Sequence, residues 1–503
     1  IDMEHIKIND DSIRIAVKDW LEDPLKAESI YGHISGWDTS KVTDMRRLFI
    51  NAEQFNQPIG NWDVSKVTNM HSMFKGADSF NQPIGNWDVN NVTDMSGMLE
   101  YAKSFNQSIG NWDVSNVTVM SNMFHGASDF NQPLGVWDVS NVIDMRNMFS
   151  DSFNQSIGNW DVSNVTDMSG MFSSCRNFNQ PIGNWDVSNV TDMSGMFSSC
   201  RNFNQPIGNW DISNVTNMKR MFAFTENFNQ NISNWNVGSV TNMNGMFYSA
   251  KAFNQPIGKW DVSNVYDIQI KNNYSHHGMS EMFRGAKSFN QPIGDWDVSN
   301  ISDMRFMFSE TSFFNQDIGK WDVSNVTEMS FMFKNAKAFN QPIGDWDVSN
   351  VKLMYSMFSF TQVFNQDINN WNVSNCIAMK EMFCDAKAFN QPLDDWKVNS
   401  KTKTSNMFLR SPLKKIYEAN GKLLKTPKKV GVVKKVSDNR VIYLHENGIT
   451  IVAKPGAKGA KAGETYELNG KEYYVAKDKQ DLIKLVDKGF DMSKVITSKI
   501  TTM

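Results

Sequence analysis

The sequence predicts an α/β repeat solenoid in which each turn of 25 residues contains one short strand, one short helix and two corners. Tryptophan recurs every 25 residues from Trp37 to Trp396, except for one interval of 23 and one of 36 residues. The segment 161–185 is identical to the segment 186–210. Self-similarity at a fixed period is typical of units that bury their apolar faces only against neighbouring copies.

The repeated unit reads F-N-Q-P-I-G-N-W-D-V-S-N-V-T-D-M-S-G-M-F and ends on two further residues and Ala. Its Met-x-x-Met-Phe segment, as in Met168, Met171 and Phe172, places apolar side chains at i, i+3 and i+4. This spacing predicts a short helix, with an upstream Thr or Ser as its cap. The stretch from Phe178 to Val187, which Pro and Gly interrupt, predicts turns and one short strand. Stacked copies would bury ladders of Phe, Met and Trp.

The solenoid is predicted to span residues 37–410 in about 15 repeats, behind an N-terminal helical cap at residues 1–36. A cap is expected because the first turn of a solenoid needs a shield. Asp10 or Asp11 is the predicted N-cap of the cap helix. Its apolar residues are Ile13, Ala16, Val17 and Trp20.

Beyond the solenoid the charge balance changes sign. Residues 1–400 carry 28 basic and 44 acidic residues, whereas residues 401–503 carry 22 basic and 10 acidic residues. Opposite charge balances favour two modules. The predicted segments are a basic linker at 411–430, a small β-hairpin module at 431–476, and a helix with the start of a further repeat array at 477–503.

The small module contains two Asn-Gly pairs between apolar runs, which predict tight hairpin turns. These pairs are Asn447-Gly448 and Asn469-Gly470. The predicted strands are Val432–Val436, Val441–Leu444, Ile449–Val452, Thr465–Leu468 and Tyr473–Val475. A helix is predicted at Lys479–Asp487, and the following segment 490–495 echoes the W-D-V-S-N-V motif.

The Asn of the F-N-Q motif is present in all fourteen copies. One interpretation is an exposed amide stripe that binds glycans. We favour the other, an inward structural ladder that satisfies backbone groups at a corner. A buried Trp in each turn likewise needs an acceptor for its indole N–H. The first ladder residues are Asn56, Asn81, Asn106, Asn131, Trp62, Trp87, Trp112 and Trp137.

The residue after Trp is Asp at twelve of fifteen positions, and Asn or Lys at the others. A calcium-binding stripe is one interpretation, since Ca²⁺ needs several close oxygen ligands. A turn acceptor for backbone N–H groups is the favoured alternative, because Asn keeps that acceptor. The calcium interpretation would place metal at Asp63, Asp88, Asp113 and Asp138.

Few other residues suggest chemistry. Cys175 and Cys200 occupy a small-residue position in adjacent turns; we read them as buried residues, although stacking could bring them within disulfide range. His276-His277 is the one metal-like pair, and we read it as solvated. No phosphate-loop, C-x-x-C or H-E-x-x-H pattern occurs. No enzyme, metal or cofactor is therefore predicted.

The net charge of −4 gives no general case for nucleic acid or membrane binding. The Lys-rich tail lacks the aromatic–Arg pattern of a nucleic-acid-binding sheet, so no nucleic acid partner is expected. The sequence contains no run of about 18 apolar residues, so no transmembrane helix is predicted.

The repeated F-N-Q-P-I-G-N-W-D-V-S-N-V-T-D-M motif, whose Trp recurs fifteen times, resembles the BspA-like surface-protein repeats, also described as a mycoplasma-type lipoprotein domain of unknown function. The resemblance covers about residues 1–410. It implies a leucine-rich-repeat-like solenoid at an extracellular cell surface, with roles in adhesion. The partners it implies are other proteins, extracellular matrix or neighbouring cells.

Three functions follow as expectations: an adhesive binding module, a structural subunit of a filament, stalk, surface layer or virion fibre with head-to-tail self-association, and a Ca²⁺-stabilised surface protein. The adhesive module would use positions that vary between repeats. These recognition residues are Arg46, His71, Ser96, Lys219, Arg305 and Tyr355.

Overall fold

The computed structural model describes residues 8–267 and 278–414, together with the backbone of six strands between residues 432 and 496. The chain divides into two compact units. The first contains residues 1–392 and 403–412, and the second contains residues 393–402 and 413–503. The helix predicted at Lys479–Asp487 and the pair His276-His277 lie outside the described residues.

The first unit begins with two helices. Helix α1 spans Asp10–Glu22 and helix α2 spans Pro24–Tyr31, followed by a 3₁₀ turn at Ile34–Gly36. The apolar residues expected in α1 are all buried. Its N-cap is Asn9, and not Asp10 or Asp11 as expected, because the Asn9 side chain accepts from the Asp11 and Ser12 amides. No helix within 8–267 or 278–414 is long and apolar enough to cross a membrane.

Successive turns then stack through their backbones. In the first pair, the amides of Met45, Arg47 and Phe49 donate to carbonyls of the next turn at 2.8–2.9 Å. Single parallel bridges join one residue per turn, from Asp44 to Asn242 and again from Asp303 to Lys403. The backbone amides of each turn therefore find their acceptors in carbonyls about 25 residues along the chain.

The Met-x-x-Met-Phe segment is a run of tight turns, and not the expected short helix. In the first turn, Arg47 inside this segment and Asn51 two residues after it have φ of 58° and 57°. Left-handed residues interrupt a helix, and alternate amides donate to the next turn. The stretch from Phe178 to Val187 likewise has turns and no strand. The single bridges lie elsewhere, at the residue before the first Met of each turn, such as Asp167 and Asp192.

The core is built from columns of identical side chains. Except in the last turn, and in the third, which holds Leu99 at this position, each turn buries a Phe against a second Phe, with ring centroids near 4.0 Å, as between Phe172 and Phe178. The same Phe172 stacks on Phe197 of the next turn at 5.7 Å. Two Met residues are fully buried beside these rings in most turns, and Leu48 replaces one of them in the first turn. Aromatic stacking and burial stabilise the repeats only when copies are adjacent.

The second unit contains two small sheets. In the first, β1 (Val432–Lys435), β2 (Asp438–Leu444) and β3 (Ile451–Ala453) are antiparallel. In the second, β4 (Thr465–Leu468) pairs antiparallel with β5 (Lys471–Val475), and β5 pairs parallel with β6 (Val495–Ile496). The register pairs Leu468 with Lys471. The predicted turns at Asn447-Gly448 and Asn469-Gly470 lie outside the described residues.

Candidate functional site

The Trp column is a structural ladder. From Trp62 to Trp371, each indole N–H donates to the carbonyl of the Ile or Leu that lies three residues before the preceding Trp. Trp87 donates to Ile59 at 3.3 Å, and Trp112 donates to Ile84 at 3.1 Å. Trp62, Trp87, Trp112 and Trp137 are 3–4 % exposed. A buried indole needs such an acceptor, so these residues hold the stack together and are not free to bind a ligand.

The Asn column makes hydrogen bonds from turn to turn. The Asn56 side-chain oxygen accepts from the Asn81 amide at 3.0 Å, and Asn81 accepts from Asn106 in the same way. A Gln side chain of the next turn also donates to it. The column differs from the expected inward ladder, because Asn56 and Asn106 are exposed and Asn81 and Asn131 are half-buried.

The Asp residues after Trp are turn acceptors. Asp63 accepts from the Ser65 amide and hydroxyl at 3.0 and 2.6 Å, and Asp113 does the same with Ser115. Asp88 and Asp138 accept from the amides of Asn90 and Ser140. The Ser hydroxyl and amide lower the pKa of Asp63 and Asp138. Within 8–267 and 278–414, no three acidic, His or Cys side chains form a group suited to a metal.

The two cysteines of adjacent turns are buried and free. The Cys200 thiol donates to the Phe172 carbonyl at 3.0 Å. Burial raises the pKa of both Cys175 and Cys200 well above the usual range for a thiol, which keeps them in the unreactive form.

Variable side chains of successive turns lie on one surface. Four positions of each turn form it, the first, second, fifth and sixth residues after the first Met, and we call it the ladder face. In the first turn these are Arg46, Arg47, Ile50 and Asn51. All six predicted recognition residues occupy the first of these columns, where each is exposed or half-buried: Arg46, His71, Ser96, Lys219, Arg305 and Tyr355.

Neighbouring members of this first column contact one another or the adjoining acidic column. The His71 Nδ1 and Ser96 Oγ atoms are 2.7 Å apart, within hydrogen-bond distance. Arg46 pairs with Asp44 at 2.7 Å, and Arg305 pairs with Asp303 at 2.6 Å. The column therefore presents some charges that are already paired within their own turn.

Turns one to four carry a basic part of the ladder face around a shallow depression of about 300 Å³. Arg47, His71 and Lys75 line it together with Glu100, which pairs with Lys75 at 2.8 Å. Turns six and seven, at 168–199, are bare by comparison, since their ladder-face positions hold only Ser and Gly.

Turns eight to twelve carry a continuous row of aromatic and cationic residues, which we call the aromatic strip. Phe224 contacts Tyr248 at 4.6 Å. The Arg284 guanidinium lies 5.2 Å from the Tyr248 ring and 4.4 Å from the Phe306 ring. Phe306 stacks on Phe331 at 4.5 Å and 5°. The members are Phe224, Tyr248, Arg284, Phe306, Phe331 and Lys334.

Sequence reasoning missed this strip, because it considered one variable column and not four. A signal was present. Phe306 and Phe331 stand where turns six and seven have Gly170 and Gly195, and all four residues have φ of 57–62°. A bulky side chain in the left-handed region costs about 1–2 kcal/mol, so aromatic residues there suggest a role other than folding.

Comparison with known families and proteins bears on the repeats alone. The family described as "Mycoplasma protein of unknown function, DUF285" matches residues 24–134, 106–197, 175–277, 270–360 and 317–416. No curated protein and no solved structure matches the chain. The five overlapping matches together cover most of the chain and confirm that it is a repeat protein. The chain belongs to this mycoplasma protein family of unknown function.

Proposed function

We propose that this chain is a non-enzymatic, extracellular surface protein that binds other proteins, matrix or neighbouring cells through its ladder face. The observation that carries the proposal is the contrast along that face. Turns six and seven hold only Ser and Gly there, whereas the flanking turns hold charged and aromatic side chains on the same backbone.

This contrast separates scaffold from recognition. The columns of Trp, Phe and Met are nearly constant and buried, and they hold the turns together. The ladder face varies, although its backbone hydrogen bonds repeat from turn to turn. A rigid scaffold with a variable surface is typical of repeat proteins that bind other macromolecules.

The chain provides its own template for testing the proposal. The ladder-face residues of turn seven can be copied into turn eight as Lys219→Ser, Arg220→Gly, Ala223→Ser and Phe224→Ser, and corresponding changes can be made in turns nine to thirteen. We expect labelled wild-type protein to bind cells or immobilised matrix proteins. The grafted variant should retain its fold and bind at least tenfold more weakly.

Two results would contradict the proposal. One is wild-type protein that binds neither cells nor matrix. The other is a grafted variant, together with a matching graft in turns one to five, that binds as tightly as the wild-type protein. Circular dichroism of each variant controls for folding.

A further inference from the structure

We propose that the aromatic strip binds a carboxylate-bearing, apolar segment of a partner protein, with Arg284 as its anchor. This inference rests on the proposed binding function and adds the location and the chemistry of the partner. The strip lies on turns eight to twelve, five consecutive copies of the repeat.

Arg284 has unused hydrogen-bonding capacity. Its side chain is held between the rings of Tyr248 and Phe306. Its nearest carboxylates, Glu281 and Glu310, lie 3.9 and 3.7 Å away, beyond hydrogen-bond distance. Its Nε is buried without a hydrogen-bond partner. The terminal Nη1 and Nη2 groups make only these longer ion pairs. A guanidinium fixed in place in this way is suited to a carboxylate, which accepts two parallel N–H bonds.

The Phe306 ring beside Arg284 offers its edges and not its faces. Phe331 covers one side of Phe306, and Arg284 of the preceding turn lies over the ring as well. Sugars stack on open ring faces, so this arrangement does not favour a glycan. Ring edges carry partial positive charge and therefore favour carboxylate and carbonyl oxygens beside apolar contacts.

The local charge also distinguishes the partner. Glu281 lies within 4 Å of both Arg220 and Arg284, and Glu310 lies 3.7 Å from Arg284, so positive and negative groups are nearly balanced around Arg284. A sulfated glycan or nucleic acid is held by a large excess of positive charge, which is missing here. Aromatic residues and Arg in a nearly neutral patch are typical of the centre of a protein interface.

Three aromatic residues of the strip adopt an unfavourable, left-handed backbone conformation. Phe224, Phe306 and Phe331 have φ of 58°, 57° and 62°. Glycine adopts this region without penalty. Replacement by Gly therefore removes the ring and relieves strain, which separates a loss of binding from a loss of folding.

The test uses the full chain and a glutamate–tyrosine copolymer as the probe, with binding measured by fluorescence polarisation. We expect the copolymer to bind wild-type protein, and heparin not to displace it. Arg284→Gln should weaken binding at least tenfold, and Phe306→Gly with Phe331→Gly should do the same while the melting temperature is unchanged or raised.

Two variants serve as matched controls. Arg176→Gln removes the same charge from an exposed site outside the ladder face. Asn122→Gly makes the same backbone change at φ 59° in the basic part. Both should bind the copolymer within twofold of wild-type protein.

The inference is overturned if Arg284→Gln and the double Gly variant bind the copolymer within twofold of wild-type protein, or if heparin displaces the copolymer. It is equally overturned if wild-type protein does not bind the copolymer. Any of these results would reject the inference about the strip alone, provided that wild-type protein still binds cells or matrix as the proposed function requires. Copolymer binding that depends on Arg284, without any binding to cells or matrix, would support the strip and reject the adhesive role.

Discussion

Asp10 and Asp267 make equivalent hydrogen bonds at the two places where a turn lacks its usual neighbour. Asp10 in α1 accepts from the amides of Thr43 and Asp44 at 2.7 and 3.0 Å. Asp267, at the start of the inserted segment, accepts from the amides of Ser302 and Asp303 at 2.5 and 2.9 Å. In ordinary turns a backbone carbonyl takes this role, as from Thr68 to Thr43.

Substitution by Asn should affect stability differently at Asp10 and at Asp267. Asp10 presents one oxygen to both amides and the other to the Thr43 hydroxyl, which can reverse its hydrogen bond. Asp10→Asn should therefore be mild. Both oxygens of Asp267 accept from backbone amides, one from Gly278 and the other from Ser302. Asp267→Asn would direct its NH₂ at an amide and should destabilise by about 1–3 kcal/mol.

Denaturant unfolding and hydrogen exchange at the Thr43 and Ser302 amides would measure these effects. Asp11→Ala, at an exposed position of the same helix as Asp10, is the control and should have little effect. Equal losses for Asp10→Asn and Asp267→Asn would contradict the assignment.

Acid should weaken the repeats. The pKa of Asp10 is lowered because hydrogen bonds from Thr43 and Asp44 outweigh its desolvation, and Ser hydrogen bonds lower the pKa of Asp63 and Asp211. Each folded pKa lies below the ordinary value of 3.8. The stabilisation is therefore complete above about pH 4 and is lost as pH falls through the folded pKa. We expect the melting temperature to decrease as the pH is lowered from about 4 to about 2.

Asp→Asn changes along the column after Trp provide the comparison for this acid effect. Asn keeps the acceptor and loses the titration. A variant with Asp63, Asp138 and Asp211 changed to Asn should lose less stability on acidification than the wild-type protein. An equal decline in both would show that other carboxylates cause it.

Removal of one Asn from the ladder should cost modest stability. Asn131 accepts from the Asn154 amide at 3.0 Å and from the Gln155 side chain at 3.2 Å. Asn131→Ala should destabilise by about 1 kcal/mol, the usual net value of such bonds at a half-exposed site. Asn131→Asp keeps the acceptor and should cost less in urea unfolding. If the two variants lose the same stability, the acceptor role is wrong.

An added side chain should be costly at Gly183, two residues before Trp185, although three other turns carry Ser, Asn or Asp at the equivalent position. A Cβ at Gly183 would lie 2.4 Å from the Pro206 carbonyl oxygen of the next turn. Gly183→Ala must therefore separate two stacked backbones and should destabilise by about 1–3 kcal/mol. At Gly36 a Cβ would meet nothing within 4 Å. Gly36→Ala should be close to neutral in the same thermal denaturation, and similar losses at both sites would reject the steric argument.

The sequence by itself determined the period, the short turn, the insert and the identity of the buried columns. Trp62 and Asp63 illustrate why: one is a large side chain that must be buried with an acceptor, and the other forms a hydrogen bond two residues along the chain. Such local chemistry repeats with the sequence. The column of His71 and Lys219 was likewise identified from its variation.

Only the tertiary structure decided the conformation of the Met-x-x-Met-Phe segment. The i, i+3, i+4 spacing favours a helix, but amides such as that of Phe172 donate to Met196 of the next turn, and residues such as Gly170 become left-handed. These partners lie about 25 residues away and exist only when the turns stack. For the same reason the sequence could not assign Asp10 and Asp267 to missing carbonyls, nor bring Tyr248, Arg284 and Phe306 together on one face.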